Sequence, residues 1–169
     1  MGMSSVSMSA EAIQWIKSVL PAGSTILELG SGEGTIALSD TFKMYSVENQ
    51  VEWMNKFPLC TTYINCHTRY YDNEFTAPDV EGSQTGWYNP DTLFNNMPLT
   101  YDAILIDGPG GKFGRGGFLK FIDKFNTNVP MFFDDVNRSA ELDLIKKVSA
   151  YVNRPYEILE SDKALGYIL

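Results

Sequence analysis

The sequence predicts an α/β fold: a seven-stranded, mostly parallel sheet with helices on both faces and an antiparallel hairpin at the C-terminal end. Three observations predict it. Short apolar runs alternate with stretches of helical period along most of the 169 residues. A strand, glycine turn and helix follow one another in Ile26-Leu27-Glu28-Leu29-Gly30-Ser31-Gly32-Glu33-Gly34-Thr35. Two apolar runs, 156–160 and 164–169, are joined only by Ser161-Asp162-Lys163, which is too short for a crossover between parallel strands.

The length suits a single domain over 9–169, with residues 1–8 expected to be flexible. Thirteen Lys and Arg against 21 Asp and Glu give a net charge of −8, and no basic run exceeds two residues. That balance disfavours a general nucleic-acid or anionic-membrane surface. No apolar stretch is long enough to span a bilayer, and Met1-Gly2-Met3-Ser4 leads into polar residues, so a cytoplasmic location is expected. Cys60, Cys66 and His67 lie in one short segment without the paired spacing of a closed zinc site.

In chain order, 9–20 has apolar positions at helical spacing, with Ser9 as its cap and Pro21-Ala22-Gly23 as its end. The strand 25–29 comes next, then the glycine turn, where the backbone can bend sharply and bring N–H groups close to a ligand. A short helix near 34–40 and a second strand at 44–47 follow. Glu48 ends that strand eighteen residues after Gly30, where an open parallel sheet can set a carboxylate against a ribose diol. Residues 50–57 read as a short helix ended by Pro58, and 61–65 as the third strand.

The segment 68–98 shows no sustained period and reads as a lid or substrate loop. Its Tyr70, Tyr71, Trp87 and Tyr88 either line a pocket or staple the loop to the body. Ala103-Ile104-Leu105-Ile106 is a buried fourth strand, and Asp107-Gly108-Pro109 places an acid at its carboxyl end. Gly110, Gly111, Gly114, Gly116 and Gly117 make the next loop permissive, with Lys112 and Arg115 supplying positive charge. Residues 118–125 read as a helix with Phe118, Phe121, Ile122 and Phe125 on its core face. The fifth strand, 129–133, runs into Asp134 and Asp135, and buried neighbouring carboxylates need a metal, a cation or hydrogen bonds. A helix over 139–152 precedes the terminal hairpin.

This Rossmann-like pattern resembles the class I S-adenosylmethionine-dependent methyltransferases from about Thr25 to Leu169, through ILELGSGEGT, SVEN and YDAILIDGPG. The resemblance implies an S-adenosyl-L-methionine site built from Glu28, Gly30, Ser31, Gly32 and Gly34, then Glu48 and Asn49, Asn65 and Cys66, and Asp107. The motifs IDG at 106–108 and FFDDV at 132–136 are similar to those of cation-dependent O-methyltransferases of the catechol and caffeoyl type. Carried over, they imply Asp107, Asp134 and Asp135 as ligands of Mg²⁺ or Mn²⁺, with Asp135 standing where that family has Asn. The DGP form also resembles small sugar or glucuronosyl O-methyltransferases.

The implied reaction is methyl transfer to a hydroxyl of a small polar or phenolic acceptor, with Asp107, Lys112 and His67 as candidates for deprotonating or orienting it. A metal-free version keeps Asp107 for the cofactor or acceptor and pairs Asp134 and Asp135 with the last helix or Arg138. The Asn/Asp-Pro-Pro-Tyr tetrad of amino-methyltransferases is absent, so DNA or protein amide methylation is less attractive than O-methylation of a small polar molecule. An NAD-binding oxidoreductase and a catalytically inactive nucleoside-binding subunit are the competing classes, and a homo-oligomer or a partner subunit that completes the substrate pocket stays open.

Overall fold

The computed structural model describes residues 8–72, 74–75, 77–79, 81–110 and 112–169. The main sheet contains β1 (Thr25–Leu29), β2 (Lys43–Glu48), β3 (Thr62–Asn65), β6 (Ala103–Ile106), β7 (Met131–Phe133), β8 (Glu157–Leu159) and β9 (Leu165–Ile168). A small second sheet pairs β4 (Thr68–Tyr70) with β5 (Gly86–Tyr88). The main order is β3-β2-β1-β6-β7-β9-β8. The strands from β3 to β7 are parallel, whereas β9 runs antiparallel to both β7 and β8. The predicted hairpin is therefore present, with its second strand inserted between β7 and the edge strand β8.

Alternation along the strands sends side chains to two apolar layers. Ile26, Met44, Ala103, Leu105 and Phe132 pack with Ala12 and Ile16 of α1 (Ala10–Val19) and with Leu38 of α2 (Glu33–Ser39). On the other face, Leu27, Leu29, Ile104, Ile106 and Phe133 meet Leu144, Ile145 and Val148 of α6 (Ser139–Val152). Ser9 caps α1 as expected, its Oγ accepting the Ala12 N–H at 3.1 Å. Burying strands on both faces is what makes them continuous apolar runs in the sequence.

Three expectations need correction. Met8 is buried in the α1 layer instead of belonging to a flexible end, while the rest of that expectation, 1–7, lies outside the described residues. The segment 68–98 contains β4, β5 and α4 (Pro90–Asn96), whose N-terminus is closed by the Asn89 side chain accepting from Thr92 N–H at 3.1 Å. Trp87 and Tyr88 are fully buried and Tyr71 nearly so, which bolts this segment to the body, while Tyr70 stays exposed. The 118–125 helix is divided into α5 (Gly117–Lys120) and a 3₁₀ turn at Ile122–Lys124. The tighter turn brings Phe118, Ile122 and Phe125 into the core together, and Phe121 stacks on Trp87 at 5.4 Å.

Candidate cofactor and acceptor site

Ladder hydrogen bonds run one residue past the parallel strands. Gly30 donates to Val47 O at 2.8 Å, Cys66 to Glu48 O at 2.9 Å, Asp107 to Leu29 O at 2.9 Å and Asp134 to Ile106 O at 3.1 Å. These residues are held in register at the carboxyl edge, where the connections from β1 and β3 leave in opposite directions along the sheet. Such a switch point leaves a crevice, and a cleft of about 260 Å³ lies here.

One wall is the glycine turn. Gly30 has φ +90°, and a Cβ there would lie 2.7 Å from Gly108 Cα and 2.9 Å from the Asp107 carbonyl carbon. The turn after β1 and the turn after β6 thus touch backbone to backbone, with no space for a side chain between them. Beneath the turn, Glu28 is 1% exposed and accepts from Thr35 Oγ1 at 2.9 Å and from Ser46 Oγ. Thr35 Oγ1 in turn accepts the Gly32 N–H at 3.0 Å. Burial pushes the Glu28 carboxyl up to about 8, against the pull of the Ser46 and Thr35 hydrogen bonds.

Glu48 forms the floor between β1 and β2. Its Oε2 accepts Ser31 N–H at 2.9 Å and its Oε1 accepts Asn49 and Gln50 N–H at 2.8 Å each. Burial raises its pKa and the three amides oppose the shift. A carboxylate has about four acceptor positions, so one on Oε2 remains for a ligand hydroxyl. Trp53, on α3 (Val51–Lys56), stands half-buried at the same end of the cleft.

Beside the glycine turn stand Asp107 and Asp135, which line the cleft, and Asp134 behind them, with carboxylate oxygens of the three within 4.8 Å of one another. Arg115 sits among them at 5% exposure, giving Nη2 to Asp135 Oδ2 at 3.0 Å and to Asp107 Oδ1 at 3.3 Å, and Nη1 to the Asp134 carbonyl at 2.9 Å. Arg138 reaches the same Asp135 oxygen at 3.3 Å. Asp135 holds φ +60°, a left-handed backbone that costs an L-residue on the order of 1 kcal/mol. Burial and then the Asp134 charge push the Asp107 carboxyl well above the usual range, opposed by Arg115. Asp134 is raised by burial and then by Asp135.

Of the residues expected from sequence, Gly30, Ser31, Gly32, Glu48, Asn49, Asp107 and Asp135 line the cleft, and Asp134 joins through the carboxylate cluster. Glu28 and Gly34 support the turn from below and do not line it. Asn65 and His67 are exposed and outside it, and Cys66 points into the core, its thiol pushed up to about 11 by burial. Lys112 is exposed and lines a neighbouring cavity of about 690 Å³ with Arg138 and Glu141. Arg138 belongs to both cavities.

The sequence reading missed Gln50, Trp53 and Lys163 as lining residues. Trp53 had a signal, because a helix that starts directly after Glu48 must present its first turn to the same crevice. Lys163 had none. Tyr88, one of the aromatic candidates, lines the cleft, and its buried hydroxyl has no hydrogen-bond partner among the described residues.

No family model and no curated protein matches the chain. Solved structures do match in fold. The C-terminal domain of precorrin-6Y C5,15-methyltransferase from Rhodobacter capsulatus superposes with a TM-score of 0.59 at 10% identity, covering 98% of this chain and 90% of that one. A putative caffeoyl-CoA O-methyltransferase from Staphylococcus aureus gives 0.54 at 15%, covering 96% and 84%. The SAH-bound Podospora anserina methyltransferase PaMTH1 gives 0.51 at 14%, covering 94% and 85%. Strand order, the antiparallel β9 and these superpositions together establish that the chain has the class I S-adenosylmethionine-dependent methyltransferase fold.

Proposed function

We propose that this protein transfers a methyl group from S-adenosyl-L-methionine to a hydroxyl of a small polar acceptor. The observation that carries the reading is the cleft itself, which brings the Gly30–Gly32 turn and Glu48 together with a largely buried carboxylate cluster. The residues fit the cofactor. Glu48 keeps one acceptor position for a ribose hydroxyl, Trp53 offers an aromatic face beside it, and the orphaned Tyr88 hydroxyl awaits a polar partner. When bound, the cofactor supplies an electrophilic methyl on a sulfonium.

The chain's own contribution is to position and deprotonate. Asp107, with its proton affinity raised by burial and by Asp134, is suited to take the proton of an acceptor hydroxyl at its carboxylate. The neighbouring cavity is the acceptor's approach, and there Lys112 and Arg138 orient it. This assigns Lys112 to orientation, and His67 has no part in it. The carboxylate cluster and the absent amine-orienting tetrad support oxygen over nitrogen as the acceptor atom.

Calorimetric titration with S-adenosylmethionine, S-adenosylhomocysteine and NAD tests the cofactor. Saturable binding of the first two, weakened at least about tenfold in Glu48→Ala, is the expected result. A folded protein that binds neither, or that binds NAD instead, refutes the reading. Tyr88→Phe separates ligand from fold: loss of an unsatisfied buried hydroxyl should leave stability equal or up to about 1 kcal/mol higher, yet weaken S-adenosylhomocysteine binding about threefold or more. Urea melts and calorimetry on the same sample read both.

A further inference from the structure

The carboxylate cluster already holds a cation that belongs to the chain. We propose that Arg115 is the resident counter-ion of Asp107, Asp134 and Asp135 and occupies the place a divalent metal takes in an oxygen-ligand site, so that this cleft works without Mg²⁺ or Mn²⁺. The chemical consequence for methyl transfer rests on the function proposed above; the exclusion of metal does not.

Hard divalent ions bind in proportion to the ligand charge they find and the oxygen lone pairs left free. Here three carboxylates face two guanidiniums, which leaves at most one uncompensated negative charge. Asp135 Oδ2 is taken twice, by Arg115 at 3.0 Å and by Arg138 at 3.3 Å, and Asp107 Oδ1 is taken by Arg115 at 3.3 Å. A metal that used Asp135 Oδ2 would have to displace both guanidiniums from it, and one that used the other carboxylate oxygens would sit beside two positive charges.

Arg115 is also not a mobile surface side chain that yields cheaply. It is 5% exposed, its Nη1 is tied to the Asp134 carbonyl at 2.9 Å, and its own carbonyl accepts the N–H of fully buried Phe118 at 3.1 Å. Expelling it would bury an unpaired charge or drag the start of α5 with it. Its Nε is buried and has no partner among the described residues, and the residue lines the cleft. The guanidinium therefore brings to the cleft the positive charge a metal would otherwise place beside a developing oxyanion.

The test is Mn²⁺ titration followed by electron paramagnetic resonance, on the full chain and without cofactor or acceptor. Wild type and Arg115→Lys, which keeps the charge, are expected to leave Mn²⁺ free up to about 1 mM. Arg115→Met should bind one equivalent at least about tenfold more tightly than wild type and gain melting temperature with the ion. Arg115→Gln, which retains an amide donor for the Asp134 carbonyl, is the second neutral variant should Arg115→Met not fold. Submillimolar Mn²⁺ binding by wild type that disappears in Asp134→Asn overturns the proposal, as does silence of a folded neutral variant. Because no cofactor is in the sample, failure of S-adenosylmethionine binding would leave this result standing, and the reverse.

Discussion

Gly30→Ala is expected to remove a large share of the fold's stability, whereas Gly32→Ala should fold and lose its ligand. At Gly30 a methyl group would meet Gly108 Cα at 2.7 Å, Gly108 N at 2.8 Å and the Asp107 carbonyl carbon at 2.9 Å, all of them backbone. No side chain can rotate away, and φ +90° is itself unfavourable for alanine. Separating the two turns would break the Asp107 N–H to Leu29 bond and uncover the ends of β1 and β6. The combined cost is on the order of 3 kcal/mol or more, a large share of a small domain's stability. Gly32 lines the cleft, its φ is extended at −167°, and a Cβ there would meet nothing within 4 Å. Its replacement should cost less than about 1 kcal/mol of stability while lowering S-adenosylhomocysteine affinity at least about tenfold. Urea unfolding and calorimetry on the pair decide the matter, and a Gly32→Ala protein that binds like wild type would remove the turn from the ligand site.

The second large effect is a loss of stability in alkali traced to Glu28. Its carboxyl is pushed from an ordinary 4.5 to about 8 by burial between β1 and α2, with its hydrogen bonds to Ser46 and Thr35 pulling the other way. The sign follows from proton counts. Below about 4.5 both folded and unfolded chains carry the proton, and this group adds no pH dependence. Between about 4.5 and 8 the unfolded carboxyl ionises while the folded one stays neutral, so the folded state holds more protons and stability falls as pH rises. Above that window the full cost is present, on the order of 5 kcal/mol. Glu28→Gln removes the ionisation and retains an acceptor for Thr35 and Ser46. Between pH 6 and 9, wild type should lose substantially more unfolding free energy than Glu28→Gln, and parallel pH profiles would mean that Glu28 is not the buried acid responsible.

Much of the site was readable because it depends on local order. A parallel strand buried on both faces must be an uninterrupted apolar run, so Ala103–Ile106 and the residues before Asp134 announced their strands and the acids that end them. The period of two was also sufficient, in retrospect, to put Ile64 and Cys66 on the core face and Asn65 and His67 outside. Asn89-Pro90-Asp91 carried a helix start that the surrounding aromatic, aperiodic stretch obscured. The β4–β5 pairing could not be seen, since three-residue strands separated by residues 71–85 leave neither period nor turn signature.

The amino-acid sequence alone determined the alternating architecture, the glycine turn, Glu48 and the three carboxylates at strand ends, because each follows from periodicity or from position relative to a strand terminus. Only the tertiary structure decided which of two cations in one glycine-rich loop turns inward. Lys112 remains exposed and Arg115 lies buried among Asp107, Asp134 and Asp135. An irregular loop has no period to aim its side chains; their direction is set by what packs behind them, here the buried aromatic core under Phe118 and the carboxylates brought together by strands distant in sequence.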